Sequence, residues 1–278
     1  MHSILSSILV NLVKDGEGLW VCADNENVFY PEDAYDLFFE IEELSFWMEH
    51  RKNCVLKLFK KWPPGDFVCD VGGSNGYMAK KLQEAGYGVC LVEPGRKASL
   101  NAKWRGVETV VNSGFENAHF PQGSIPSISL FDTLEHIADD EQFLKNIHQT
   151  LKSDGRLYIT VPAYSHLWSE DDVYAKHFRR YNLSGLSALL KKIGFEVEFT
   201  SYLFSFLYPA ILTAKTIPRL MGRRRAMDNI KSLRRAHMVD GGIARRFVDA
   251  LLKTELALMN RGLVRFGTSC VAVARKTG

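Results

Sequence analysis

The stretch Phe67-Val68-Cys69-Asp70-Val71-Gly72-Gly73-Ser74-Asn75-Gly76 decides the fold. Phe67–Val71 has the character of a buried strand, and Tyr77–Ala85 follows as a helical pattern that Gly86 stops. A glycine-rich turn between strand and helix lets a ligand come close to the backbone and the helix N-terminus. A dinucleotide pyrophosphate asks for G-x-G-x-x-G. Here the glycines stand at 72, 73 and 76, so that spacing fails. Asp70, two residues before the first glycine, would repel a pyrophosphate but suits a cationic ligand with an amino group. The next strand, Gly88–Val92, ends in Glu93, 23 residues after Asp70. A carboxylate there can accept both hydroxyls of a ribose.

Outward from this turn, apolar runs alternate with helical patterns. Strands are expected at Val107–Asn112, Ile128–Phe131, Arg156–Val161 and Phe195–Tyr202, and helices at Arg96–Arg105, Asp140–Leu151 and Leu183–Ile193. The alternation predicts an α/β fold, a mostly parallel sheet with helices on both faces. Before it, residues 1–62 form a helical cap with one long helix from about Ala34 to Lys61. After it, residues 203–265 read as a basic helical insertion. Thr268–Ala274, within a final segment 266–278, is a last strand whose obvious partner is the edge at the sixth strand.

The 278 residues, 46% hydrophobic and 24% charged, exclude a disordered or fibrous chain and leave room for a core domain of about 63–202 with additions. Five cysteines, with no CxxC pair, read as buried thiols in a reducing, cytoplasmic setting. No metal-ligand set is assigned. The apolar run Leu203–Ala214, interrupted by Pro209, is too short to span a membrane.

The D-x-G-x-x-x-G turn, the strand end Leu91-Val92-Glu93-Pro94, the segment Phe131-Asp132-Thr133-Leu134-Glu135-His136-Ile137 and the turn Leu151-Lys152-Ser153-Asp154-Gly155-Arg156-Leu157 together resemble the class I S-adenosylmethionine-dependent methyltransferases. The resemblance covers about residues 46–202. It implies a Rossmann-like sheet of seven strands whose last strand is antiparallel and inserted beside the fifth. It also implies S-adenosylmethionine as cofactor and S-adenosylhomocysteine as product. Asp70 and the turn of Gly72, Gly73, Ser74 and Gly76 would hold the methionine part, and Glu93 and Pro94 the ribose. Phe115 and Glu116 would meet adenine, and Leu130 and Phe131 would line the methionine tail. Ser74 stands where the family has a second glycine, and no acid follows the third strand in the family's usual place.

Acceptor residues are expected at the carboxyl ends of the fourth and fifth strands. His136 lies beyond the fourth. Beyond the fifth, Tyr164, His166, Trp168, Asp172, His177, Arg179, Arg180 and Tyr181 crowd one loop. This loop resembles a bacterial branch of the superfamily with L-W-S-x-x-D-x-x-x-x-H-x-R-R-Y, as does the end Phe266–Lys276. Histidine is the natural base near neutral pH, so His136 and His177 are joint catalytic candidates. Arg179 or Arg180 could grip an acidic acceptor, or pair with neighbouring aspartates. On the N-terminal helix, Phe46, Trp47 and Arg51 are placed either to lid the cofactor or to pack on the sheet.

The expected reaction moves a methyl group by in-line displacement to an oxygen or nitrogen of a small-molecule, glycan or lipid-linked acceptor. An RNA methyltransferase and an inactive cofactor-binding protein are the alternatives. The net charge of +3 hides ten Lys or Arg against two Asp between Lys215 and Arg246. With the apolar residues before them, they suggest contact of residues 203–246 with an anionic membrane surface, on the inner side. Nucleic acid is the rival partner, and a solvated helical cap is the plainer alternative.

Overall fold

The computed structural model describes residues 2–22, 32–216 and 242–277. Among these, nine strands form one sheet. In chain order they are β1 (Val13–Lys14), β2 (Trp20–Val21), β3 (Phe67–Val71), β4 (Gly88–Val92), β5 (Thr109–Asn112), β6 (Ile125–Phe131), β7 (Leu151–Pro162), β8 (Phe195–Leu203) and β9 (Ser269–Lys276). Across the sheet the order is β1-β2-β5-β4-β3-β6-β7-β9-β8. The seven strands from β5 to β8 are the expected core. Its first five are parallel, and β9 runs antiparallel between β7 and β8. The final strand lies inside the sheet beside the fifth core strand, as the resemblance implies: Ile159 faces Ala272 on one side and Thr200 faces the same residue on the other.

Every residue of β3, β4 and β5 is buried, as a continuous apolar run with both faces covered requires. The helices are α1 (His2–Ile8), α2 (Glu32–Ile41), α3 (Phe46–Lys61), α4 (Tyr77–Glu84), α5 (Arg96–Trp104), α6 (Asp140–Thr150), α7 (Glu170–Tyr174), α8 (Leu183–Ile193), α9 (Leu207–Ile211) and α10 (Ile243–Asn260). They pack in two sets, α2 with α5 and α3 with α4 in one, α6 with α8 in the other. Local chemistry sets the boundaries. Asp139 accepts from the Gln142 amide at the start of α6, Asn182 accepts from the Gly185 amide at the start of α8, and Gly194 closes α8 at φ 112°.

Three expectations need correction. The single helix from Ala34 to Lys61 is two helices. Ser45 adopts an extended conformation and its hydroxyl accepts from the Met48 amide, which starts α3 afresh. Strands β6 and β7 begin earlier than their apolar runs, because Ile125 pairs with Leu151 ahead of a bulge. The hairpin β1–β2 was not foreseen. Its turn is built by the Asp15 carboxylate, which accepts from the Glu17 and Leu19 amides, and Trp20 continues the sheet beside Val111.

The N-terminal cap and the insertion meet. Trp47 of α3 stacks on Phe204 at 3.6 Å, and His50 donates to Glu255 of α10 at 2.9 Å with both side chains buried. Residues 217–241, and with them most of the basic run in the expected contact segment 203–246, lie outside the described residues. No helix among the described residues is long and apolar enough to cross a membrane.

Candidate active site

The turn after β3 holds Gly72, Ser74 and Gly76 at φ 70°, 50° and 75°, the left-handed region. Glycine adopts it freely; Ser74 does so under local strain. The Gly72 amide bonds the Val92 carbonyl at 2.8 Å, tying the turn to the end of β4. Two close approaches explain the glycines. A Cβ on Gly72 would come within 2.4 Å of Thr133, and one on Gly73 within 2.3 Å of Leu91 and 2.6 Å of Asp70 Oδ2.

Asp70 is wholly buried beneath this turn. Its Oδ1 accepts from Ser129 at 2.7 Å, and its Oδ2 has no hydrogen-bond partner. Burial pushes the carboxyl up to about 6, against the pull of Ser129 and Arg51. Glu93 is also buried. Its oxygens accept from the Ser74 amide at 2.9 Å and the Gly95 amide at 2.8 Å, and burial still pushes it up to about 7. The cap closes on this corner: the Tyr35 hydroxyl and Glu93 Oε1 both stand beside Gly95, where a Cβ would meet them at 2.6 and 2.9 Å, and Asn75 donates to the Tyr35 carbonyl. Pro94 is half-buried, its carbonyl bonded by Asn112. Two raised carboxyls, one with an orphaned oxygen, fit a ligand that brings a positive charge and hydroxyl donors.

The other cofactor candidates are placed less favourably. Phe115 is packed against Phe120 and Phe143, and Glu116 is exposed with an oxygen taken by Asn146. Leu130 is a core side chain, and Phe131 is buried.

At the carboxyl end of β6, Asp132 sits at φ 54° and joins Arg51 of α3 to Thr160 of β7. Arg51 therefore braces the strand end. The loop of residues 163–181 folds onto the same end, since the Phe178 amide bonds the Glu135 carbonyl at 2.8 Å and the Tyr164 amide bonds the Tyr181 carbonyl. Asp172 is the loop's hub. Its buried carboxylate accepts from His177 Nδ1 at 2.9 Å, from Arg180 Nε and Nη2 at 2.7 and 2.9 Å, and from the Ser169 amide at 2.7 Å. Burial would raise Asp172, but His177 and Arg180 hold it well below the usual carboxylate range. Arg179 and Tyr181 share Asp140, at 2.6 and 2.7 Å. These four side chains thus have partners within the protein, and they fix the loop's shape.

His177 and His136 meet edge to face, with ring centroids 4.7 Å apart. Burial, then His177, pushes His136 down to about 4, so it is neutral at physiological pH. Glu135 beside them is buried. Burial and the neighbouring Asp132 push its carboxyl well above the usual range. Tyr164 stacks on His166 and on Tyr202, each at 5.0 Å, and His166 bonds the Tyr208 hydroxyl at 3.0 Å. This aromatic shelf joins the loop to α9. Trp168 is half-buried. Glu135, Asp132 and Tyr35 were not read as site residues from sequence. Asp132 and Glu135 carried a signal, their place in the segment with His136; Tyr35 carried none.

Residues 48–199 match the methyltransferase domain family. No curated protein sequence matches the chain. Among solved structures, a Haloferax volcanii protein in complex with a methyltransferase activator has a TM-score of 0.56 at 16% identity, covering 89% of this chain and 97% of that one. The phosphoethanolamine N-methyltransferase 2 of Haemonchus contortus, in complex with S-adenosyl-L-methionine, has 0.56 at 18%, covering 90% of this chain but 58% of that one. A SAM-dependent methyltransferase from Thermotoga maritima has 0.54 at 18%, covering 88% and 96%. At such identities the likeness speaks for the fold. With the family match over more than half the chain and the two buried carboxyls at the glycine turn, the chain belongs to the class I S-adenosylmethionine-dependent methyltransferases.

Proposed function

We propose that this protein methylates an oxygen or nitrogen of a small-molecule, glycan or lipid-linked acceptor that binds at the carboxyl ends of β6 and β7. The observation that carries the reading is the anchoring of the 163–181 loop on the end of β6, which sets His177 against His136 next to the glycine turn's own neighbour, Thr133. Asp70 and the turn from Gly72 to Gly76 hold the cofactor's amino-acid end, and Glu93 accepts from its ribose hydroxyls. Bound there, S-adenosylmethionine supplies a methyl group already activated by a sulfonium. The remaining task of the protein is positioning, plus handling a proton if the acceptor must lose one.

Of the two histidines, His177 is the one prepared for proton transfer. Asp172 holds its Nδ1–H, which leaves the lone pair on Nε2. His136 is too weakly basic for that task at neutral pH. The aromatic shelf of Tyr164, His166, Tyr202 and Tyr208 offers stacking area to a sugar or an aromatic acceptor. The Haemonchus contortus neighbour is named for N-methylation of phosphoethanolamine, a small phosphorylated amine, which supports a small-molecule acceptor here.

The test is an acceptor screen with radiolabelled cofactor on the wild type and on a His136→Ala/His177→Ala double variant. The double variant is expected to bind S-adenosylhomocysteine as the wild type does and to lose at least about a hundredfold in turnover. Unchanged turnover with a true acceptor would remove both histidines from the reaction.

A further inference from the structure

We propose that Glu135, His136 and His177 form a binding site for a divalent transition metal ion of the zinc class. One ligand atom from each lies within 4.8 Å of the other two. Ligand atoms around a tetrahedral zinc at 2.0–2.2 Å stand about 3.4 Å apart, so small side-chain rotations close the set. Two imidazoles and one carboxylate are a donor set that zinc, iron(II) and their neighbours favour over magnesium or calcium.

Three independent features point to an ion. The first is Glu135 Oε2, buried and without a hydrogen-bond partner. An orphaned buried carboxylate oxygen is costly unless something positive meets it. The second is the outer support of the two rings. Metal-bound histidines usually donate their other ring N–H to a carboxylate or a backbone carbonyl. His177 Nδ1 bonds the Asp172 carboxylate, and His136 bonds the Ala175 backbone. Asp172 thereby orients the His177 ring, and the Ala175 backbone holds that of His136. The third is the contact between the rings, edge to face at 4.7 Å, which brings both imidazoles beside Glu135. Asp172 is in turn fixed by Arg180 and Ser169, so the support does not depend on the ion.

Three protein ligands leave at least one position open, the pattern of catalytic rather than structural metal sites. Water or an oxygen of the acceptor fills it, and the ion then takes over the activation assigned above to His177. That place in the reaction rests on the proposed function; the binding of the ion does not.

The experiment is a titration of the full-length protein, freed of metal by chelation, with Co2+ followed by visible absorption and with Zn2+ followed by calorimetry. One equivalent is expected to bind, with cobalt bands of a nitrogen- and oxygen-ligated ion. His136→Ala, His177→Ala and the isosteric Glu135→Gln should each weaken binding by at least about tenfold, whereas His119→Ala, on an exposed residue, should not. Thermal melts establish that each variant is folded. Absence of a stoichiometric site in the wild type overturns the proposal, and so does binding unaffected by His136→Ala and His177→Ala. Calorimetry with S-adenosylhomocysteine separates the two readings: product binding without metal binding sinks the metal site alone, and metal binding without product binding sinks the proposed function alone.

Discussion

Replacing Asp70 by Asn tests the cofactor cradle and the cost of its empty state in one variant. The Asp70 carboxyl is pushed up from an ordinary 3.8 to about 6 by burial. A tenfold change in proton affinity is worth about 1.4 kcal/mol, so ionised Asp70 costs the folded, ligand-free protein about 3 kcal/mol. The sign is that of a raised acid. Below pH 3.8 the group is protonated in both folded and unfolded chains and its contribution is intact. Between 3.8 and about 6 only the unfolded chain ionises, and stability falls as pH rises. Above 6 the loss is complete. Asn keeps the oxygen that accepts from Ser129, but places an unpartnered amide where Oδ2 stood, at about 1–3 kcal/mol. At pH 7 these terms nearly cancel, and the variant should be about as stable as the wild type. At pH 4 it should be less stable by up to about 3 kcal/mol. Urea unfolding of both proteins from pH 4 to 7.5 reads the difference directly, free of other groups that titrate alike in both. Calorimetry at pH 7.5 should show S-adenosylmethionine binding weakened at least tenfold, since a neutral amide cannot answer the ligand's cation. A stability difference that stays flat across this range refutes the burial argument. Unchanged cofactor affinity refutes the assignment of Asp70.

Gly73→Ala puts a Cβ within 2.3 Å of Leu91 and 2.6 Å of Asp70 Oδ2; it should cost about 1–3 kcal/mol in unfolding free energy and loosen S-adenosylhomocysteine binding, and a variant that binds like the wild type would show that the turn tolerates a side chain. Glu255→Gln removes one acceptor from a buried group that takes the Phe204 and Ser205 amides and the His50 ring. It should lower stability by about 2–3 kcal/mol, several degrees in Tm, and an unaltered melting temperature would contradict the role of Glu255 as the link between α3 and α10.

How far the site was legible depends on the distance along the chain between interacting groups. The turn from Asp70 to Gly76, the strand end at Glu93 and the segment from Asp132 to Ile137 are contiguous, and their chemistry is local. A strand feeding a tight turn and a helix is visible as a change from an apolar run to glycines to a helical period. The long-range partners were not legible. Arg51 meets Asp132 and Glu255 meets His50 only because the sheet and its caps bring them together. Neither pairing leaves a periodic trace. The boundary at Ser45 was missed for a different reason: a single capping hydroxyl interrupts an otherwise continuous amphipathic pattern. The acceptor loop stood out by composition, but composition could not say that Asp172 would spend its carboxylate on His177 and Arg180.

By itself the sequence determined the fold class, the parallel core and the glycine turn between β3 and α4, because strand burial, helix period and glycine conformation are encoded within a few residues. The tertiary structure decided the rest. It closed the cap over Glu93, paired Arg179 with Asp140 and Arg180 with Asp172 as braces, and set a buried, half-satisfied Glu135 beside His136 and His177. The physical reason is that burial and pairing belong to the space between segments. A carboxylate's charge state, or a histidine's free nitrogen, depends on which distant groups the fold brings within about 3 Å.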